Sequence, residues 1–161
     1  TLTVKDYGKI QLALYDKDAP KAVENFLRLV NSGYYNCLTF HRVSQNFVIQ
    51  GGDPKGDGTG GYSVFGDTFA DELDPNSDSY KTGYKKGVLA MANRGENTNG
   101  SQFFIMLEDK PLPNLYTIFG KVLVGQEVVD KIGKTPLQSG LTDGAPVNPI
   151  VIEKAVIDPK K

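Results

Sequence analysis

The sequence predicts a mainly β protein, a mostly antiparallel barrel or sandwich, and three observations carry that prediction. Short runs alternate apolar and polar residues, as Leu2, Val4, Ile10, Leu12 and Leu14 do, which is the period of a strand with one buried face. Eighteen glycines and nine prolines supply the turns that many short strands need. Only two segments carry a helical stripe, and they do not alternate with strands in the βαβ rhythm of a parallel sheet. The chain of 161 residues reads as one domain, 1–161, with no repeat and no linker long enough to divide it.

The elements follow in order. Residues 1–15 form two half-buried strands broken at Asp6-Tyr7-Gly8, a hairpin turn with its glycine. From Asp18 the period changes: Val23, Phe26, Leu27 and Val30 fall at i, i+3, i+4 and i+7, with Pro20 in the first turn and Gly33 past the end. This helix must lay its stripe over the open end of a sheet or barrel. Strands are expected at 38–43 and 47–50 around the turn Ser44-Gln45-Asn46, then at 87–92, 102–106, 118–123 and 150–156, with a short helix over 126–132. Glycine-rich or polar loops at 51–61 and 93–101 separate them, and a tail from Asp158 is expected to fray.

Composition excludes several classes of function. Eighteen basic and nineteen acidic residues leave a net charge of -1, too little field to draw a nucleic acid, and no apolar run approaches the roughly 18 residues of a membrane span. A single cysteine, Cys37, rules out an internal disulfide and a multi-thiolate zinc site. Compartment stays open, the cytoplasm slightly favoured; the start at Thr1 rather than methionine also suits an exported or lipid-anchored chain that has lost a leading segment.

Four local motifs lack the context their chemistry needs. Gly56-Asp57-Gly58-Thr59-Gly60-Gly61 fits a dinucleotide fingerprint, but Tyr62-Ser63-Val64-Phe65-Gly66 has no stripe for the helix that would point its amides at pyrophosphate. Asp74, Asn76 and Asp78 start like a calcium loop, which then places Lys85 where a bidentate glutamate belongs. Cys37 and His41, four residues apart on one strand, would stand roughly 13 Å from each other, too far for a nucleophile and its base. Asn99-Gly100-Ser101 is formally a glycosylation acceptor, a three-residue pattern common by chance. No cofactor and no metal are expected.

There remains FHRVSQNFVIQGG, residues 40–52, which sets Arg42 and Gln50 among residues fit for an interior, with Phe47, Phe104, Leu112 and Tyr116 available to line a pocket. Together with GTGG, MANRGENTNGSQFFI and FGKV, this stretch resembles the cyclophilin family of peptidyl-prolyl cis-trans isomerases, and the correspondence runs along essentially the whole chain. The resemblance implies a closed eight-stranded antiparallel β-barrel capped by two α-helices, with the active groove on its outer surface. It implies Arg42, Phe47 and Gln50 as catalytic residues and Val48, Ala92, Asn93, Gln102, Phe104, Leu112 and Tyr116 as substrate-binding residues. The expected partners are proline-containing peptides and unfolded or flexible protein segments, met by a monomer; the other reading the motif allows is a proline-peptide binding module with little turnover.

The chemistry accounts for these residue types. Rotation about Xaa-Pro faces a barrier of about 20 kcal/mol because the amide is partly double-bonded, yet no bond is broken. In the twisted transition state the prolyl nitrogen regains a localised lone pair, and a guanidinium, always protonated, can donate to it. An apolar pocket is expected to strengthen that bond. His41 has no proton to transfer and reads as structural. The chain departs from the family in lacking tryptophan, which implies weakened sensitivity to the inhibitor cyclosporin. Tyr116 and the Pro111-Leu112-Pro113 loop look more bacterial than animal.

Overall fold

A computed structural model describes residues 1–138 and 140–159. Nine strands and three helices run in the order β1 (Leu2–Val4), β2 (Gly8–Leu14), α1 (Pro20–Asn31), β3 (Arg42–Ser44), β4 (Val48–Gly51), α2 (Asp78–Thr82), β5 (Val88–Met91), β6 (Phe103–Met106), β7 (Ile118–Val124), α3 (Gln126–Gly133), β8 (Asp143–Gly144) and β9 (Ile152–Ala155). The sheet order is β8-β3-β4-β6-β5-β7-β2-β1-β9, and every paired neighbour is antiparallel. The residues leading into β3 close the ring: Thr39 bridges Val151, Phe40 N–H donates to Ile150 O at 2.9 Å, and Ile152 N–H donates to Leu38 O at 2.8 Å. Eight strands therefore form the barrel. The ninth, β8, is a two-residue addition beside β3 that the alternation of the sequence is too short to reveal.

Core and helices follow from the period of each element. Ile49, Leu89, Met91, Phe103 and Ile105 point into the barrel, where Phe26 of α1 packs against Phe103 (ring centroids 5.6 Å apart), Phe119 (5.4 Å) and Tyr35 (5.1 Å). Helix α1 thus meets the start of β6. Helix α3 meets its far side, since Gly133 packs so closely on Leu107 that a Cβ there would collide with its side chain. The two helices therefore cover opposite ends, as expected. The N-terminus of α1 has no capping side chain at Ala19, whereas its C-terminus is closed locally, Gly33 (φ +75°) and Tyr34 donating their amides to Val30 O and Leu29 O at 3.0 Å each. Pro20 occupies its first turn, and the Glu72 carboxylate accepts from the amides of Lys21 and Ala22, each at 2.9 Å, which places a negative charge at the positive pole of the helix.

Three local expectations change. Strand β3 begins at Arg42, because residues 38–41 serve the seam with β9 rather than the β3–β4 hairpin. The loop after Asp74 contains α2, capped by the Ser77 hydroxyl, and Asp74 spends a carboxylate oxygen on the Asn76 amide at 2.9 Å. Of the tail expected to fray, Asp158 to Lys161, Asp158 is held: it accepts from the Thr1 amino group at 3.2 Å, and Val156 N–H donates to Thr1 O at 2.9 Å, while Lys160 and Lys161 lie outside the described residues.

Replacing Phe26 by Ala removes the ring shared by Tyr35, Phe103 and Phe119 and leaves a cavity at the barrel mouth. A stability loss of about 3–5 kcal/mol is expected in equilibrium denaturant unfolding; a loss below about 1 kcal/mol would mean that α1 does not carry this end of the core.

Candidate active site

The wall formed by β4, β6 and β5 is buried on both faces, so its second face forms a separate apolar cluster on the outside of the barrel. Val48, Tyr84, Val88, Ala90, Phe104, Met106 and Ile118 are buried there, with Phe47, Ala92, Leu112 and Tyr116 packed around them and partly open. Strand register explains the arrangement. Arg42 lies opposite Gln50, Gln50 opposite Phe104, Phe104 opposite Ala90, and Ala90 opposite Ile118. Residues directly opposite share a face, so these five form one row across five strands, polar at one end and apolar at the other.

A continuous hydrogen-bonded line runs from the polar end. Arg42 Nη1 donates to Gln50 Oε1 at 3.0 Å, Gln50 Nε2 to Gln102 Oε1 at 3.0 Å, and Gln102 Nε2 to the carbonyls of Gly58 (3.0 Å) and Gly60 (2.9 Å). The glycine loop therefore presents carbonyls to the groove. Its amides turn inward, those of Lys55 and Gly58 donating to the Asp53 carboxylate at 2.8 and 2.7 Å. Within the fingerprint-like GDGTGG the amides of Gly56, Asp57 and Gly58 are thus spent on Asp53 and that of Thr59 on Asp57 rather than turned outward as a phosphate cradle would need. Burial alone would raise the Asp53 pKa, but the amides of Lys55, Gly60, Gly58 and Asp57 outweigh it and hold the carboxyl below its ordinary range.

Gln102 is fixed by its neighbour. Ser101 Oγ donates to Gly52 O at 2.7 Å and the Tyr35 hydroxyl donates to Ser101 O at 2.9 Å, while Gly52 has φ +88° and space for no Cβ against Ser101 O. Asn99 is fully buried, its amide donating to Phe69 O and Asp71, so the glycosylation pattern is structural. Cys37 is exposed in a turn at φ +66° rather than on a strand with His41.

The apolar end is closed by the loop 111–116. Tyr116 stands edge-on to Phe104 with centroids 5.5 Å apart. The buried Tyr84 hydroxyl donates to Tyr116 O at 2.8 Å and accepts from Tyr116 N–H at 3.0 Å, and Asn93 Nδ2 donates to Leu115 O at 2.9 Å. Beside the polar end, Gln50, Ala92, Asn93, Arg94, Gln102 and the glycine loop line a recess of about 220 Å³. Of the ten residues implied by the resemblance, Gln50, Ala92, Asn93 and Gln102 line this recess, Phe47, Val48, Phe104, Leu112 and Tyr116 belong to the apolar cluster, and Arg42 joins the recess through Gln50. Val48 is the floor of the groove rather than its lining, since it is almost fully covered.

Two features were not legible. Asp143 grips Arg42 from β8, and the Arg42 side chain is 39% exposed at the groove's rim rather than enclosed in an apolar pocket. The low-dielectric strengthening expected from the sequence therefore awaits a substrate that covers it. Tyr84, which clamps the loop, lies in a segment without a strand or helix period.

With this geometry in place, comparison with known proteins is decisive. Residues 1–157 match the family model described as cyclophilin type peptidyl-prolyl cis-trans isomerase/CLD. The chain belongs to the cyclophilin family. It is 48% identical over 150 residues to the fission yeast peptidyl-prolyl cis-trans isomerase ppi1, covering 92% of each, and 51% identical over 134 residues to Arabidopsis CYP18-1, covering 83% of this chain and 81% of that one. A crystal structure of a Cryptosporidium parvum cyclophilin type isomerase superposes with a TM-score of 0.89 at 38% identity over 99% of this chain and 96% of that one; a second structure of it was solved in the presence of the dipeptide Ala-Pro. These relatives come from a yeast, a plant and a protozoan, so the bacterial character expected from Tyr116 and the 111–113 loop finds no support among them. Cyclophilins catalyse rotation about Xaa-Pro bonds and bind proline-containing peptides, and this cyclophilin is a peptidyl-prolyl cis-trans isomerase.

His41 sits beneath the glycine loop with neither ring nitrogen bonded among the described residues. Burial pushes its pKa below 6.5, with Arg42 adding to the effect and Asp53 opposing it. The unfolded chain therefore takes up this proton at higher pH than the folded one, so the stability His41 contributes is full above about pH 6.5 and is lost as pH falls through the folded value. Denaturant midpoints at about pH 8 and about pH 5 should converge in His41→Phe relative to the parent; an unchanged difference would show that other groups set the acid sensitivity.

Proposed function

We propose that Arg42 is the catalytic donor, that Phe47, Phe104, Leu112 and Tyr116 seat the prolyl ring, and that Gln50, Gln102 and the Ala92-Asn93 backbone hold the residues before it. The observation that carries this reading is the single cross-strand row that sets Arg42 at the polar end of an apolar pocket. A peptide lying along the groove would have its proline anchored by apolar contact while the amide before it turns beneath the guanidinium. The pocket is equally apolar to the cis and trans ring, so it contributes binding; the hydrogen bond to the pyramidal nitrogen exists only near the twisted state, so it contributes rate. The groove is complete within one chain, which suits a monomer acting on exposed proline segments of unfolded or flexible proteins.

The decisive experiment is a protease-coupled or exchange-NMR assay on a proline tetrapeptide. Arg42→Ala should leave the fold intact and lower kcat/KM roughly 100-fold, the effect of losing a donor worth about 3 kcal/mol in the transition state. Near-normal turnover by the folded variant would refute Arg42 as donor, and tight peptide binding without turnover by the parent would favour a binding module.

Cyclosporin sensitivity should be weak. Family members draw part of their affinity for it from a tryptophan that this chain lacks, and Pro111, the position nearest to it counting back from Phe119, is exposed beside the half-buried Leu112. Loss of one aromatic anchor worth about 2 kcal/mol raises the inhibition constant roughly 30-fold. An inhibitor titration of the parent and of Pro111→Trp checks this; tight inhibition of the parent, equal to that of tryptophan-containing relatives, would sink it.

A further inference from the structure

Asp143 belongs to none of the motifs described above, yet it makes the most extensive contact with Arg42. Its Oδ1 accepts from Arg42 Nε at 2.9 Å and its Oδ2 from Nη2 at 2.8 Å, a two-point grip that matches the guanidinium fork to the carboxylate. Gln50 takes a third donor, on Nη1. A guanidinium has five N–H groups, so two are left for a substrate, and their directions are set because the plane is held on two sides.

We propose that Asp143 is the positioning residue of the isomerisation site, fixing the plane of the Arg42 guanidinium so that its remaining N–H groups are already aimed where the prolyl nitrogen pyramidalises. The proposal rests on the reading of Arg42 as the donor.

Backbone structure supports this. Strand β8 is two residues long and pairs only with β3, Ser44 opposite Asp143 and Val43 opposite Gly144, while Gln45 N–H donates to Thr142 O at 2.7 Å. The ladder that places Arg42 therefore also places its carboxylate partner. Both side chains remain substantially exposed, 39% and 47%, and ion pairs this open add little to folding stability. Stability is thus a poor reason for the pair. Orientation is a better one, because an unrestrained arginine at the rim would have to give up its many rotamers as the transition state forms. The hydrogen bonds from Arg42 hold the Asp143 carboxyl below its ordinary range, so it is ionised wherever the protein is active near neutrality.

The test uses the whole chain, an uncharged capped Xaa-Pro peptide and exchange NMR, which yields kcat and KM separately. Asp143→Asn is isosteric and retains one acceptor; Asp143→Ala retains none. The expected result is a fall in kcat of roughly tenfold for Asp143→Ala, smaller for Asp143→Asn, with KM and thermal midpoint nearly unchanged and the Arg42 Nε–H resonance moved to that of a free arginine. In an Arg42→Ala background the same substitution should add no further loss, since its effect passes through the missing guanidinium. Parental kcat in folded Asp143→Ala, a loss confined to KM, or a full further loss in the Arg42→Ala background would overturn the proposal while leaving Arg42 as donor. Absence of turnover in the parent would overturn both.

Discussion

The groove depends on strand register. Side chains alternate strictly across the wall of β4, β6 and β5: Ile49, Phe103, Ile105, Leu89 and Met91 enter the barrel, whereas Val48, Gln50, Phe104, Met106 and Ala90 leave it. Slipping one strand by a residue would bury Gln50 or Arg42 in the barrel and push Phe103 out. Because the inner face is a packed aromatic and aliphatic core, that slip is prohibitively costly, and the outer row is held in place by interactions it does not itself make. The geometry of the outer row is thus a by-product of barrel packing.

Polar groups in the groove are restrained in sequence rather than individually. Asp143, Arg42, Gln50, Gln102 and the carbonyls of Gly58 and Gly60 form one line in which Arg42 donates to both Asp143 and Gln50, and Gln50 and Gln102 each accept from one neighbour and donate to the next. Glutamine suits the two central positions because its amide carries both functions on one end. The glycine loop can take part because Asp53 gathers its amides inward, which leaves its carbonyls facing Gln102. Removing the loop's internal carboxylate would therefore be felt in the groove as well as in the loop.

The apolar side is restrained from a greater distance. Tyr84 reaches both the amide and the carbonyl of Tyr116, and Asn25 of α1 ties the 93–101 and 60–72 segments together by donating to Gly100 O and accepting from Val64 N–H, each at 2.9 Å. Helix α1 so does two things. It closes one end of the barrel through Phe26, and through Asn25 and the Glu72 carboxylate at its N-terminus it holds loops that border the groove.

Taken by itself, the sequence determined the strands of the barrel and both capping helices, because these rest on local signals: a period of two, a period of 3.6 and turn glycines; the residues expected in the groove came instead from the resemblance carried by the F-H-R, F-x-x-Q-G-G and Q-F-F stretches. It could not show β8, since two residues have no period, nor that Asp143, 101 residues from Arg42, is its partner. It placed Arg42 inside an apolar pocket because its neighbours in the chain are apolar, whereas alternation sends those neighbours to the core and leaves the guanidinium at a rim. Ring closure through residues 38–40 and 150–152, the clamp by Tyr84, and the inward turn of the GDGTGG amides toward Asp53 were likewise decided by the tertiary structure. Each joins groups whose proximity depends on how the whole barrel curls, and no local pattern in the chain encodes that curvature.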